Sequence, residues 1–202
     1  MPAQTQRNIH FYVNWAKERL NEMEAVLTSL ESKVGEVQAD ARDKANKALA
    51  DLRKRRDIFR DTVKKQAEAN EAAWTSAKAR LEPEWNSFEA EVKKYVESFS
   101  KQVEHQQATF KLQSAAQLKA WREAADKLAG DTKQFATERQ AEIDAAVKRM
   151  QADAAAAEEK LQKHLEQAGT QSWSALMAVL TETRAAFDRA NQAAREAFKR
   201  AA

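Results

Sequence analysis

Apolar residues recur every seven positions from the start of the chain. Val13, Leu20, Leu27 and Val34 form one row that Ala41 and Ala48 continue, and Ala16, Met23, Leu30 and Val37 form its companion. Rows spaced in this way lie on one face of an α-helix and can form a helix–helix seam. Leu52, Phe59 and Val63 then take up a second register. Asn70, in AEANEAAW, marks the first turn, because Asn tolerates the left-handed conformation that ends many helices. Beyond it Trp74, Ala77, Leu81, Phe88 and Tyr95 define another helical face. Pro83 lies inside that face and predicts a kink or a restart.

The same design recurs downstream. A shift of 99 residues carries Trp74 onto Trp173, Leu81 onto Leu180, Phe88 onto Phe187, Phe99 onto Phe198, and Asn70 onto Gly169. These matches predict an internal duplication: one helical hairpin over 1–103 with its turn at Asn70, and a second over 104–202 with its turn at Gly169. The expected fold is all-α, an elongated set of antiparallel coiled-coil hairpins. Three long helices are expected, over 5–69, 71–168 and 171–201, the middle one kinked or broken at Pro83 and Gly130. Facing residues of an antiparallel pair have a constant number sum. A sum near 140 sets Leu30 against Phe110, Leu52 against Phe88 and Phe59 against Leu81. A sum near 337 sets Leu176 against Leu161 and Phe187 against Met150. The alternative is a more compact bundle folded back at Gly35, Pro83 and Gly130. A helical Gly costs only about 1 kcal/mol and a helical Pro about 3 kcal/mol. Gly35 and Gly130 therefore read as kinks, and Pro83 as the stronger break.

Composition agrees with long helices. The 202 residues include 3 Gly, 2 Pro and no Cys, which leaves few turns and no thiol chemistry. The hydrophobic fraction is 43%, much of it Ala, so the core is a narrow seam rather than a globular interior. Basic and acidic residues number 34 and 31, and the net charge of +3 does not by itself imply a nucleic-acid partner. No signal peptide and no apolar run near 20 residues stand out, which predicts a cytoplasmic protein without a transmembrane segment. A two-stranded rod buries little surface, so a homo-oligomer is expected, with a dimer favoured.

Catalytic and metal motifs fail at named residues. A di-iron bundle needs Glu-x-x-His, but Arg7, Gln102 and Leu161 stand three residues before His10, His105 and His164. Three scattered glycines build no phosphate loop, and there is no nucleophile elbow. The carboxylates keep company with Lys and Arg as on solvated helix faces, for example Glu18 and Glu22 beside Lys17, or Glu138 and Glu142 beside Arg139. No enzyme activity, cofactor or metal is therefore expected.

Two features remain. Arg53, Lys54, Arg55, Arg56, Arg60, Lys64 and Lys65 form a basic stretch suited to an anionic surface, or simply a charged outer face. Only Phe59 is interleaved with it, so nucleic acid is the weaker partner. Five tryptophans, Trp15, Trp74, Trp85, Trp121 and Trp173, are many for such a chain. Trp74, Leu81, Phe88, Trp173, Leu180 and Phe187 read as seam or self-association positions. The tail from Trp173 is amphipathic and suits a partner helix or a lipid surface.

From Gln38 to Phe99 the chain resembles small bacterial coiled-coil proteins of the stress-response or apolipoprotein-like kind. The carriers are the Ala/Lys/Asp-rich arm, LRKRRD at 52–57, and EAAWTSAKARLEPEWNSF, which is echoed as AGTQSWSALMAVLTETRAAF. The Ala-rich tail is also similar to phasins, which coat storage-polymer granules. The resemblance implies a cytoplasmic bacterial helical protein. The function expected is non-enzymatic self-association, stress-linked. The alternatives are binding to lipid or granule surfaces and, more weakly, to a nucleic-acid backbone through 53–65.

Overall fold

A computed structural model describes residues 3–66, 69–132 and 137–201, with side chains from 9–66, 69–132 and 140–200. Six α-helices account for nearly all of it: α1 (Ala3–Lys33), α2 (Ala39–Lys65), α3 (Glu71–Phe99), α4 (Val103–Thr132), α5 (Thr137–Glu166) and α6 (Trp173–Ala201). Single 3₁₀ turns follow α1 (Val34–Glu36) and α5 (Ala168–Thr170). The described residues contain no strand. The all-α expectation holds, but the rod of three long helices does not.

The first expected helix, 5–69, breaks at Gly35 instead of kinking there. Val37 and Gln38 turn extended, and Arg42 donates to the carbonyls of Gly35 (3.0 Å) and Val37 (3.2 Å). The expected middle helix breaks between Phe99 and Val103, where no Gly or Pro stands. These two breaks face each other. His105 Nε2 lies 2.8 Å from Glu36 Oε2, so the first turn of α4 is tied to the 3₁₀ turn after α1. The paired helices therefore bend together, and α1 comes to pack on α2, α3, α4 and α6. The apolar surface covered by doubling over outweighs the few helical bonds lost at each break.

Contacts keep the expected level of pairing within this folded hairpin. On α1 and α4, Ser29 Oγ meets Thr109 Oγ1 at 2.8 Å, His10 Nδ1 meets Asp131 Oδ2 at 3.1 Å, and Lys17 pairs with Glu123. On α2 and α3, Arg55 reaches Glu84 at 3.4 Å. α5 and α6 pack along their lengths, with Lys160 paired to Glu182. Trp121 Nε1 on α4 donates to the Met150 carbonyl on α5 at 3.1 Å.

Pro83 does not break α3, which runs through it. Both Pro83 and Ala79, whose carbonyl loses its helical partner, are exposed, so solvent takes the place of the missing N–H. Gly130 lies in the last turns of α4, and the connection after it, 133–136, falls outside the described residues. The turn residues also act differently from expectation. Asn70 is an N-cap, not a left-handed terminus: its side chain accepts from the Ala73 N–H at 2.9 Å. Gly169 has no positive φ, and a Cβ there would come within 3.1 Å of the Gln107 side chain.

Replacing Pro83 with Ala restores the helical bond to the Ala79 carbonyl on an exposed face. Pro83→Ala is expected to raise unfolding stability by about 1–3 kcal/mol, read by urea titration. No gain would mean that α3 is bent there for a packing reason.

Candidate functional site: a charged layer inside the bundle

The doubling-over changes which surface of α1 meets water. Between Ile9 and Lys33 only Lys17, Glu24, Thr28 and Ser32 are exposed. Glu18 and Glu22, which the sequence places on a solvated face, are both 0% exposed. In a two-stranded rod their side of the helix would be wet, and here α3 and α6 cover it. Of the second acidic group expected on a solvated face, Glu142 is exposed, while the Glu138 and Arg139 side chains lie outside the described residues.

These carboxyls meet two arginines. Arg184 on α6 grips Glu22 with a two-pronged pair, Nε to Oε1 and Nη2 to Oε2, each 2.9 Å. Its third nitrogen reaches Glu89 on α3 at 2.8 Å. α4 adds two amides to Glu22, from Gln117 (3.0 Å) and Gln113 (3.4 Å). Gln117 is fixed in turn by the Thr183 hydroxyl, which donates to it at 2.6 Å. Arg19 on α1 donates to Asp188 on α6 at 2.6 and 3.1 Å, and to Glu18 at 3.1 Å. Trp15 and Trp85 wall the layer: Arg19 lies 4.4 Å from the Trp15 ring centre and Arg184 4.5 Å from that of Trp85.

The electrostatics follow from burial. Burial pushes the Glu18 carboxyl well above its usual range, and the Glu22 charge and hydrogen bond push it further. Burial also pushes Glu22 upward, but the charge and hydrogen bonds of Arg184 outweigh it and hold Glu22 below its usual value. Glu89 is raised by burial, which Arg184 only partly offsets. Arg184 remains protonated, because its carboxylate partners overcome the burial cost. Burial thus favours the protonated form of Glu18, which can donate to Glu22, while Arg184 favours the ionised form of Glu22. The pair has the carboxyl chemistry of an acid–base couple, but neither side chain has surface a substrate can reach. Its reachable action is on the packing of α1, α3, α4 and α6.

The residues picked from the sequence are arranged differently. Trp74, Leu81, Phe88, Trp173, Leu180 and Phe187 are all buried in the chain's own core. The four arginines of the basic stretch already face carboxylates: Arg53 pairs with Glu31 (2.7 Å), Arg55 with Glu91 (2.8 Å), and Arg56 and Arg60 with Asp57 (2.8 Å each). Lys54, Lys64 and Lys65 are exposed, without an ion pair among the described residues. The three histidines stand apart, beside Asp131, Glu36 and Gln171. Among the described residues no three His, Asp or Glu side chains gather as a metal site, and no helix is long and apolar enough to cross a membrane.

Fold and site together define an all-α bundle of amphipathic helices with a hydrogen-bonded ionic layer in its core. No protein-family model, no curated protein and no solved structure matches the chain.

The layer makes stability depend on pH in a definite direction. Between the ordinary carboxylate value near 4.5 and the raised value of Glu18, the folded state keeps a proton that the unfolded chain has lost, so stability falls as pH rises through that window. Glu89 acts in the same sense. Glu22 acts oppositely, losing its contribution as pH drops below 4.5. Glu18→Gln keeps a donor toward Glu22 and should flatten the decline toward alkaline pH, as read by urea unfolding at a series of pH values. Glu22→Gln leaves Arg184 short of charge and should cost about 3 kcal/mol at neutral pH. Equal stability for the two variants would contradict these assigned protonation states.

Proposed function

We propose that this chain is a non-enzymatic bundle that opens at its charged layer and spreads its amphipathic helices over an apolar surface, a lipid layer or a storage-polymer granule. The observation that carries this reading is the layer itself. A buried ion pair is seldom more stabilising than the apolar residues that would fit in its place. Arg184, Glu22, Glu89 and Arg19 therefore favour one arrangement of α1, α3 and α6 without holding it tightly. Once separated from its neighbours, α6 offers Trp173, Leu176, Leu180, Phe187 and Phe198 on one side and charge on the other, the layout of an interfacial helix. Lys54, Lys64 and Lys65, exposed on α2, suit anionic headgroups.

Tryptophan emission is a poor reporter of spreading, because all five tryptophans are already buried in the closed bundle. A chemical lock is better. The Ser29 and Thr109 hydroxyl oxygens lie 2.8 Å apart, and the chain has no cysteine of its own. A Ser29→Cys/Thr109→Cys disulfide would fasten α1 to α4. Unlocked protein should float with vesicles containing anionic lipid, or pellet with polymer granules, and brominated lipid should quench its tryptophans. The oxidised variant should lose binding and regain it on reduction. No binding by the unlocked protein would end the surface reading, and equal binding by the locked form would end an opening that parts α1 from α4, whose Gln113 and Gln117 amides meet Glu22.

A further inference from the structure

The outer side of the α5–α6 pair carries a groove of about 680 Å³. Its α5 wall reads Glu142, Ala145, Ala146, Arg149, then Asp153, Ala156, Ala157, Lys160. That order is a charge palindrome. An antiparallel copy with facing numbers adding to 302 sets Glu142 against Lys160 and Arg149 against Asp153. It also sets Ala145 against Ala157 and Ala146 against Ala156, so small residues meet where the backbones approach. Of the α5 residues lining the groove, only Met150 lacks a mirror mate in the same lining.

The α6 wall repeats the relation at a level that follows from the first. A twofold axis crossing α5 at Gln151 crosses α6 at Asn191, if the two helices are aligned by the Lys160–Glu182 pair. The same rotation then places Glu182 against Arg200 of the copy, and both residues line the groove. One axis therefore sets opposite charges together on both helices, although Thr183, Ala186, Ala190 and Ala197 of the α6 wall have no mirror mate in the lining. Of the six charged groups concerned, Lys160 and Glu182 already pair with each other within the chain and would exchange that pair for contacts with the copy. Glu142, Arg149 and Arg200 are exposed, Asp153 is half-buried, and none of the four makes an ion pair among the described residues.

We infer that the α5–α6 face is a homodimer interface, in which the hairpin of a second copy lies antiparallel across this groove, helix on like helix. The occupant is another copy of this chain because the charge order complements itself. An unrelated helix would need that order by coincidence. The inference does not depend on the bundle opening, since the groove is present in the closed form.

The test is a charge exchange between copies, followed by sedimentation equilibrium and by crosslinking at low and high salt. The wild-type chain should form a dimer that weakens with salt. Arg149→Glu places acid against Asp153 of the partner, and Asp153→Arg places Arg against Arg149. Each variant alone should associate at least about tenfold more weakly than wild type. Mixed together, the two variants restore both opposite-charge contacts and should form a heterodimer near wild-type strength. Helix content and unfolding midpoints serve as the check that both variants fold. A wild-type chain that stays monomeric, variants that dimerise as well as wild type, or variants that fail to rescue each other would each overturn the interface.

Discussion

Two helix breaks that face each other, at 34–38 and at 100–102, are the constraint on which the rest of the structure depends. One break alone would open a two-stranded hairpin at its seam. Two breaks at the same level let both strands turn together, so α1 keeps α4 and α2 keeps α3 while the halves close on one another. The two bonds from Arg42 satisfy carbonyls that the interrupted helix releases, and the His105–Glu36 side-chain contact ties the two breaks together. A seam too narrow to support a globular core becomes sufficient when its helices share one interior, because each then covers more than one neighbour.

That closure is also what buries charge. In a rod, Glu18, Arg19 and Glu22 would occupy the wet side of α1. In the doubled bundle they lie under α3 and α6, where an unpaired charge would be prohibitive. Arg184 answers Glu22 and Glu89 together, Arg19 answers Asp188, and burial pushes Glu18 toward its neutral form. The layer specifies which face of α6 meets α1, a selection that an Ala-rich surface makes poorly. It therefore supplies orientation where the apolar residues supply cohesion.

The periodic parts of the fold were legible from sequence. The rows from Val13 to Leu30 and from Trp74 to Phe88 face the core, Val13 and Leu20 at its edge, and contacts such as Ser29–Thr109 fall at the level the pairing predicts. Local propensity alone does not place the breaks. Pro83 sits on a face where solvent substitutes for its missing N–H, so its cost is tolerated. Ser100 carries no such warning, and its break exists because the facing strand bends at Gly35. The charged layer was hidden for a related reason. Glu18 and Glu22 beside Lys17 have the spacing of a solvated face, and only the third and fourth helices around α1 turn that face inward. A single sequence records which residues share a helical face, but not how many neighbours will cover it.

The same chemistry does different work at the two ends of the chain because of that covering. Around α1, acids and arginines are enclosed by four helices, so Arg184 and Arg19 find their carboxylates within the molecule. Along α5 and α6 the charges stand on an open groove, and Glu142, Arg149, Asp153 and Arg200 make no ion pair among the described residues. Exposed charges ordinarily need no partner, since water screens them. What singles these out is order rather than number. Arg149 and Asp153 stand symmetrically about Gln151, as Glu142 and Lys160 do, in the order that the proposed antiparallel copy would pair.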